Sequence, residues 1–598
     1  MGSRIIIMLL FFTAVLYPRP AQFVRGWNIL SDDQASAEQV IKTAADRNIN
    51  HLQLSHQLVM NLKDLRNPER AAAVNELVDL AHQQGIEEVT VWDHALYHLN
   101  YYPKRFRSGP DSTLDLDNPE FWSWLKGDYR ELLGLVPNID GIILTFIETG
   151  AHIEDQYSQT MASEAEKLAA LVDTLAGVII DEHALSLTIR TFTYTRSELD
   201  AMLNCLNLIR HPDVRVMNKE VPHDFFLTHP PAEFVADIRQ QSIIEFDAAH
   251  EYNGQGIIAG IFPGIHAERW KYYLSMPRVK GYVARTDRFN NTSIIGTPCE
   301  INVYTLKRIA EDPSVSVDQI YDEFIVRHYG EQALPYLKPA FKNASDIISS
   351  SLYTLGLTTT SHSRLDPEND SAYQRHVSGK WLEPPVIRIG HGVNQEFHYW
   401  KDIVNHLAPA WYKSRESNQL AKESEWVLET GWLTPGELMN EEWLEKIITE
   451  KQYGVRLAEQ ALEQVRESQA YVTDRNLYNT TLHLFERTLL TARLHAATSQ
   501  LYYSYRIYAR GKSFRSKAVK HYMQDGLQRT RDSAAEILVY PHKGPTGQYD
   551  WEEDAYRALM IHNGVRYRQH DRYTRSTFPK MPYQGISGEK RLEILNQK

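Results

Sequence analysis

From residue 26 to about residue 310, short apolar runs alternate with stretches in which apolar side chains recur every three or four positions. Residues 26–30, 51–55, 88–92, 140–146, 185–190, 214–217 and 279–285, with the β-branched first part of 241–256, have the length and residue types of buried strands. Between most of them lie amphipathic helical patterns, at 36–47, 68–84, 119–135, 162–180 and 196–209. In the first of these, Ala37, Val40, Ile41 and Ala44 share one face. Eight strands, most followed by a helix, predict a TIM (β/α)8 barrel over 23–312. A doubly wound open sheet shows the same alternation, but no Gly-rich dinucleotide fingerprint follows the first strand.

Past residue 310 strand patterns nearly vanish. Helical patterns cover 315–329, 333–352, 423–428, 441–467, 474–509, 517–538 and 551–568, which predicts an α-helical C-terminal domain over 313–598. A polar, Pro- and His-containing insertion at 358–385 interrupts it. Long amphipathic helices of this kind suit either closure over a pocket or a homodimer interface.

Composition narrows the class. With 43% hydrophobic and 23% charged residues the chain is an ordinary globular protein, not a disordered one. A net charge of −12 argues against a nucleic-acid partner. Two Cys with no CxxC pair exclude a Cys-rich zinc site or a disulfide framework; a single disulfide stays open from sequence, and two buried free thiols are the expectation. No HExxH or paired-His spacing points to a metal, so no cofactor is expected. Residues 1–22 carry Arg4, a run of about a dozen apolar residues and then Pro18 and Pro20. That is the make-up of a signal peptide, and it implies a secreted or periplasmic protein with no later membrane span.

In a barrel, catalytic groups sit where strands end and loops begin. The third strand offers Trp92, Asp93 and His94, the fourth Glu148 and the fifth Arg190. Asp224 follows the sixth. His250, Glu251 and Tyr252 follow the seventh, and Arg285 and Asn290 the eighth. Three carboxylates, Glu148, Asp224 and Glu251, meet the needs of glycoside hydrolysis, which uses a carboxylic acid at the leaving oxygen and a carboxylate across the sugar. Glu148 leaves an apolar strand, and desolvation there would raise its pKa as an acid requires. Each of these carboxylates could equally be a helix cap or an ion-pair partner. Arg190 could hold an anionic substrate group or pair with Glu148 or Glu251. Trp92, Asp93, His94, His250, Tyr252, Arg285 and Asn290 are expected, with Arg190, to contact substrate, His94 and His250 in a hydrogen-bonding role.

Several segments resemble the α-glucuronidases of glycoside hydrolase family 67. Glu251-Tyr252-Asn253-Gly254-Gln255 is similar to that family's Glu-Tyr-x-Gly-Gln, and Asp224-Phe225 with Pro230 resembles its Asp-Phe-Gln-Pro. Glu148-Thr149-Gly150 stands in the place of its Ser-Glu-Gly, and Arg190-Thr191-Phe192-Thr193-Tyr194 is similar to its Arg-Ala-Phe-Val-Tyr. Asn302, Tyr304 and Arg308 fall in a further matching segment. The resemblance runs in order from about residue 50 to 360. Leu144 replaces a Lys of the family, and the family's N-terminal β-domain has no counterpart.

The resemblance implies a barrel followed by a helical domain. It also implies Glu148 as general acid, Glu251 with Asp224 on the base side, and Arg190 on the uronic acid. The expected activity is hydrolysis, with inversion, of a uronic-acid-containing poly- or oligosaccharide. A polysaccharide lyase, with Tyr252 or His250 taking the C5 proton, is the alternative within enzymes. A non-catalytic glycan-binding protein on the same fold is the alternative outside them.

Overall fold

Eight parallel strands close into a barrel in the order β1 to β8: Val24–Ile29, His51–Leu54, Glu88–His94, Gly141–Thr145, Ser186–Arg190, Arg215–Lys219, Ser242–Phe246 and Val279–Arg285. The computed structural model describes residues 23–193, 196–222, 224–227, 229, 231–288, 292–354, 357–358, 360–365, 440–509, 511–545 and 550–569. The expected signal segment, the helix at 423–428, Asn290 and most of the 358–385 insertion lie outside the described residues.

Alternation along each strand divides the barrel into an inside and an outside. Val24, Trp92, Ile143, Met217, Ile243 and Val283, from six strands, pack together as one layer of the interior. Gly26 lies next to that layer, where a Cβ would come within 2.6 Å of the Val283 side chain. One step further along the strands, the interior turns polar, with Asn28, Thr145, Arg190, Lys219, Glu245 and Arg285. Lys219 and Glu245 are register partners on β6 and β7, and Asn28 and Arg285 on β1 and β8. The apolar layer plugs the barrel, and the charged layer above it faces the C-terminal mouth.

Outside run helices α1 (Gln34–Asp46), α2 (Pro68–Gln83), α3 (Pro119–Gly134), α4 (Glu164–Ala176), α5 (Arg196–Leu208), α6 (Pro263–Leu274) and α7 (Ile301–Glu311). Their starts follow capping chemistry. Asp33, Asn67, Asn118 and Ser163 each accept a first-turn N–H, and Pro occupies the first helical position of α2 and α3. Helix α6 carries charged and aromatic residues around much of its circumference, so it shows little periodicity. Between β6 and β7 the described residues hold only a short 3-10 turn, Glu233–Asp237.

The helical region follows as α8 (Val317–Tyr329), α9 (Leu334–Leu352), α10 (Glu441–Glu467), α11 (Arg475–Ala509), α12 (Lys517–Val539) and α13 (Glu553–Gln569). One hydrophobic cluster runs unbroken from the barrel helices through Tyr329, Phe341, Ala461 and Phe485. The region is not free of strands. Two hairpins, β9–β10 (Tyr353–Thr354 and Leu357–Thr358) and β11–β12 (Thr360–Ser361 and Arg364–Leu365), lie beyond α9. Strands of two residues leave no periodicity to read in a sequence. Cys205 and Cys299 are free and buried, as expected. Among the described residues no helix is long and apolar enough to cross a membrane.

Candidate active site

The end of β7 sets the centre of the mouth. Glu245 is the last inward residue of the strand and is completely buried. It accepts from Arg190 Nε at 2.7 Å and from Arg285 Nε at 2.9 Å. Burial alone would push its pKa up. The Arg190, Arg285 and Lys219 cations outweigh burial and bring it down to about 2.

Beyond the strand, Asp247 caps the turn that carries Glu251, accepting its N–H at 2.7 Å. Glu251 accepts from Arg285 Nη1 at 3.0 Å. Its other oxygen lies 2.7 Å from Arg288 Nε and 3.2 Å from His362 Nε2. Burial again opposes ionisation, and Arg288, His362 and Arg285 together hold the carboxyl well below the usual range. Asp247 fares differently. Burial raises it to about 7 against the pull of Arg285, and the neighbouring Glu251 charge adds to the rise.

Asp224 completes the cluster. Lys219 Nζ donates to it at 2.5 Å and the Tyr252 hydroxyl at 2.9 Å. Lys219 also sits 3.4 Å from the centre of the Phe192 ring. Burial pulls its pKa down to about 8, against the Asp224 charge. Four cationic side chains (Arg190, Lys219, Arg285 and Arg288) thus surround three carboxylates (Asp224, Glu245 and Glu251). Arg190 Nη2 is buried and has no hydrogen-bond partner among the described residues. Its guanidinium lies 4.9 Å from the centres of the Trp92 and Phe192 rings, which fix its plane.

Arg190, Asp224, Glu251, Tyr252 and Arg285 therefore converge at the mouth. The other candidates are placed differently. Glu148 is exposed, so the desolvation expected of it is absent. It lies in the loop after β4 with φ of 62°, a left-handed conformation that costs a non-Gly residue free energy. His94 is close enough to feel its charge.

His94 itself is buried and donates Nδ1 to the Met60 carbonyl at 2.5 Å. Trp92 does not line a binding surface. It is fully buried in the barrel interior, hydrogen-bonded to Gln53, and supports Arg190. Asp93 is not a substrate contact either. Strand alternation turns it outward, where it accepts from the Tyr97 and Tyr129 hydroxyls and from Leu62 N–H. Burial lifts its pKa to about 6.

His250, expected at the substrate, is not at the mouth. Its ring packs on Phe262 and lies 3.0 Å from His266 Nε2 of α6, on the outer side of β7. Burial, with His266 and Arg269 nearby, keeps it neutral. His250 adopts a left-handed φ of 57°, and the turn that places Glu251 at the mouth faces this neighbour away from it.

Glu245, His56 and His362 escaped the sequence reading. Glu245 sits inside an apolar run, not at its end. His56, just after β2, lies 5.0 Å from the Trp92 ring and is held neutral by burial and by Arg288, Arg285, His94 and Arg190. A polar pair, Ser55-His56, closing the second strand was the available signal. His362 lies more than a hundred residues from Glu251, and nothing local to it signals contact with the barrel.

No protein-family model matches the chain, and a search of curated proteins finds no match. Among solved structures, one described as a "GH138 enzyme targeting pectin rhamnogalacturonan II" is similar at 10% identity with a TM-score of 0.55. The match covers 92% of this chain and 68% of that one. An O-GlcNAc hydrolase mutant from Thermobaculum terrenum matches at 11% identity and TM-score 0.42, over 93% and 95% of the two chains. CpGH84D matches at 11% and 0.40, over 91% and 75%. The first likeness is one of fold alone: a closed eight-stranded parallel barrel with a helical region after it. The resemblance to family 67 rests on the motifs quoted above.

Proposed function

We propose that the protein is a glycoside hydrolase acting on a uronic-acid-containing glycan. The observation that carries this reading is the convergence of Asp224 and Glu251 on the barrel mouth, paired with Lys219, Arg285 and Arg288. A carboxylate pair placed together at the mouth can orient and deprotonate water. Arg190 Nη2, buried with no partner among the described residues, favours a substrate that brings its own carboxylate. A neutral sugar would leave that donor unmatched.

In this reading Glu251, with Asp224, activates a water molecule, and Glu148 protonates the leaving oxygen. Glu148 is exposed in the free protein, where a bound glycan would cover it. Arg190 receives the substrate carboxylate, and displacement by water inverts the anomeric centre. Lyase chemistry has less support. His250 is packed behind β7, and Tyr252 is spent as a donor to Asp224, with burial and the Asp224 charge raising its pKa well above the usual value.

Incubation with a panel of uronic-acid polysaccharides and oligosaccharides tests the reading. The expected product is a saturated sugar released with the opposite anomeric configuration, followed by proton NMR. An unsaturated, ultraviolet-absorbing product would replace hydrolysis with elimination. Binding without turnover across the panel would leave a glycan-binding protein.

A further inference from the structure

A hairpin of the C-terminal half meets the turn that carries Glu251. Strands β11 and β12 are joined by His362 and Ser363, whose φ values of 49° and 65° are both left-handed. Two-residue hairpin turns of this shape normally take Asn and Gly, because a side chain there is strained. Here both side chains are engaged with the turn that carries Glu251.

His362 Nε2 lies 3.2 Å from Glu251 Oε1, and Ser363 Oγ donates to the Glu251 carbonyl at 3.0 Å. Ser363 Oγ in turn accepts from Gly254 N–H at 2.7 Å, and Gln255 Nε2 donates to the His362 carbonyl at 3.1 Å. The His362 ring lies 5.2 Å from that of Tyr252, tilted by 31°.

The base of the hairpin is fastened to the helical region. Leu365 N–H donates to Asp554 Oδ1 at 2.7 Å, and His495 of α11 lies 2.6 Å from Asp554 Oδ2. Arg364 pairs with Glu553, and Arg557 Nη1 donates to the Leu365 carbonyl at 2.9 Å. The hairpin is thus bolted to α11 and α13 at one end and meets the catalytic turn at the other.

We propose that His362 is a positioning residue for Glu251, presented to the barrel by a hairpin that the helical region holds in place. The proposal rests on the reading of Glu251 as the working carboxylate. Glu251 faces Arg285 of β8, Arg288 of the following loop, Asp247 and Tyr252 of its own loop, and His362. The two arginines bind it from the barrel side. His362 approaches from the opposite half of the chain and fixes the rotation of the carboxylate about its stem. A donor that sets orientation acts on turnover more than on substrate affinity.

The test uses the full chain and a glycan that the wild type turns over. Glu251→Gln comes first: if it leaves turnover intact, the reading of the site has failed, whatever the hairpin does. With that control satisfied, His362→Ala is expected to lower kcat by about 10- to 100-fold with KM nearly unchanged. His362→Gln, whose amide nitrogen reaches the same place as Nε2, is expected to recover most of the loss and also guards against a folding failure in the Ala variant. Unchanged kcat in His362→Ala overturns the proposal. So does a loss confined to KM, which would mark a substrate contact, and so does a kcat loss that folded His362→Gln fails to recover.

Discussion

Arg190 Nε donates to Glu245 at 2.7 Å inside the barrel, where both side chains are almost wholly removed from water. Removing one member of a buried pair costs more than the pair is worth, because the survivor is left charged without compensation. Glu245→Gln strands Arg190 and also removes the carboxylate that Arg285 shares. It is expected to destabilise the fold by roughly 3–5 kcal/mol at neutral pH in denaturant titration.

The sign of its pH dependence follows from the depressed pKa. Glu245 titrates near 2 in the folded chain and near 4.3 when unfolded. Its stabilising contribution is present above about pH 4.3 and is lost as pH falls toward 2. The gap between wild type and variant should therefore close over that interval. A gap that stays constant with pH would show that Glu245 acts through packing alone.

Arg190 offers a second prediction. Its Nε is committed to Glu245 and its Nη2 is unpartnered among the described residues. Lys carries the charge but not the planar fork, so Arg190→Lys cannot serve both roles. For a uronic-acid substrate KM should rise by roughly 10- to 100-fold, with a smaller change in kcat. A matched neutral-sugar substrate should show no such change in KM. Equal effects on both substrates would place the substrate carboxylate elsewhere.

How much of this was legible beforehand depended on where each signal sits in the chain. The barrel strands announced themselves because buried β-branched runs such as Ile142-Ile143-Leu144 have few other uses. Glu251, Asp224, Arg190 and Arg285 were legible because strand ends are where barrels keep chemistry. Glu245 was not, since a carboxylate within an apolar run becomes sensible only once two arginines from other strands converge on it. His250 and Glu251 are adjacent in sequence, and only the turn geometry separates the packed residue from the site residue. His362 depended on a long-range contact, which carries no local pattern at all.

Lys219 predicts an alkaline limit. Burial lowers its pKa to about 8. Below that pH it is a cation holding Asp224, and above it the partner of Asp224 is neutral. The pH profile of kcat/KM, which reports ionisations of the free enzyme, should fall above about pH 8. Lys219→Arg keeps its proton throughout that range, so the alkaline limb should move upward or disappear in that variant. An identical limb in both proteins would assign it to another group.

Asp247 carries the opposite liability. It caps the Glu251 turn through Oδ2, while Oδ1 is buried with no partner among the described residues. Burial raises its pKa to about 7 in the folded chain, against about 3.9 in the unfolded one. Protonated, it fits its surroundings. Its favourable contribution is therefore complete below about pH 3.9 and is lost as pH rises to about 7, where the buried charge appears beside Glu251. Asp247→Asn keeps an oxygen for the Glu251 N–H and cannot ionise. The variant should match the wild type near pH 4 and become progressively more stable than it up to about pH 7, by roughly 2–4 kcal/mol. Above that the difference should level off. Equilibrium unfolding of both proteins at several pH values measures it, and a difference that does not grow with pH would mean that Asp247 is ionised and paired throughout.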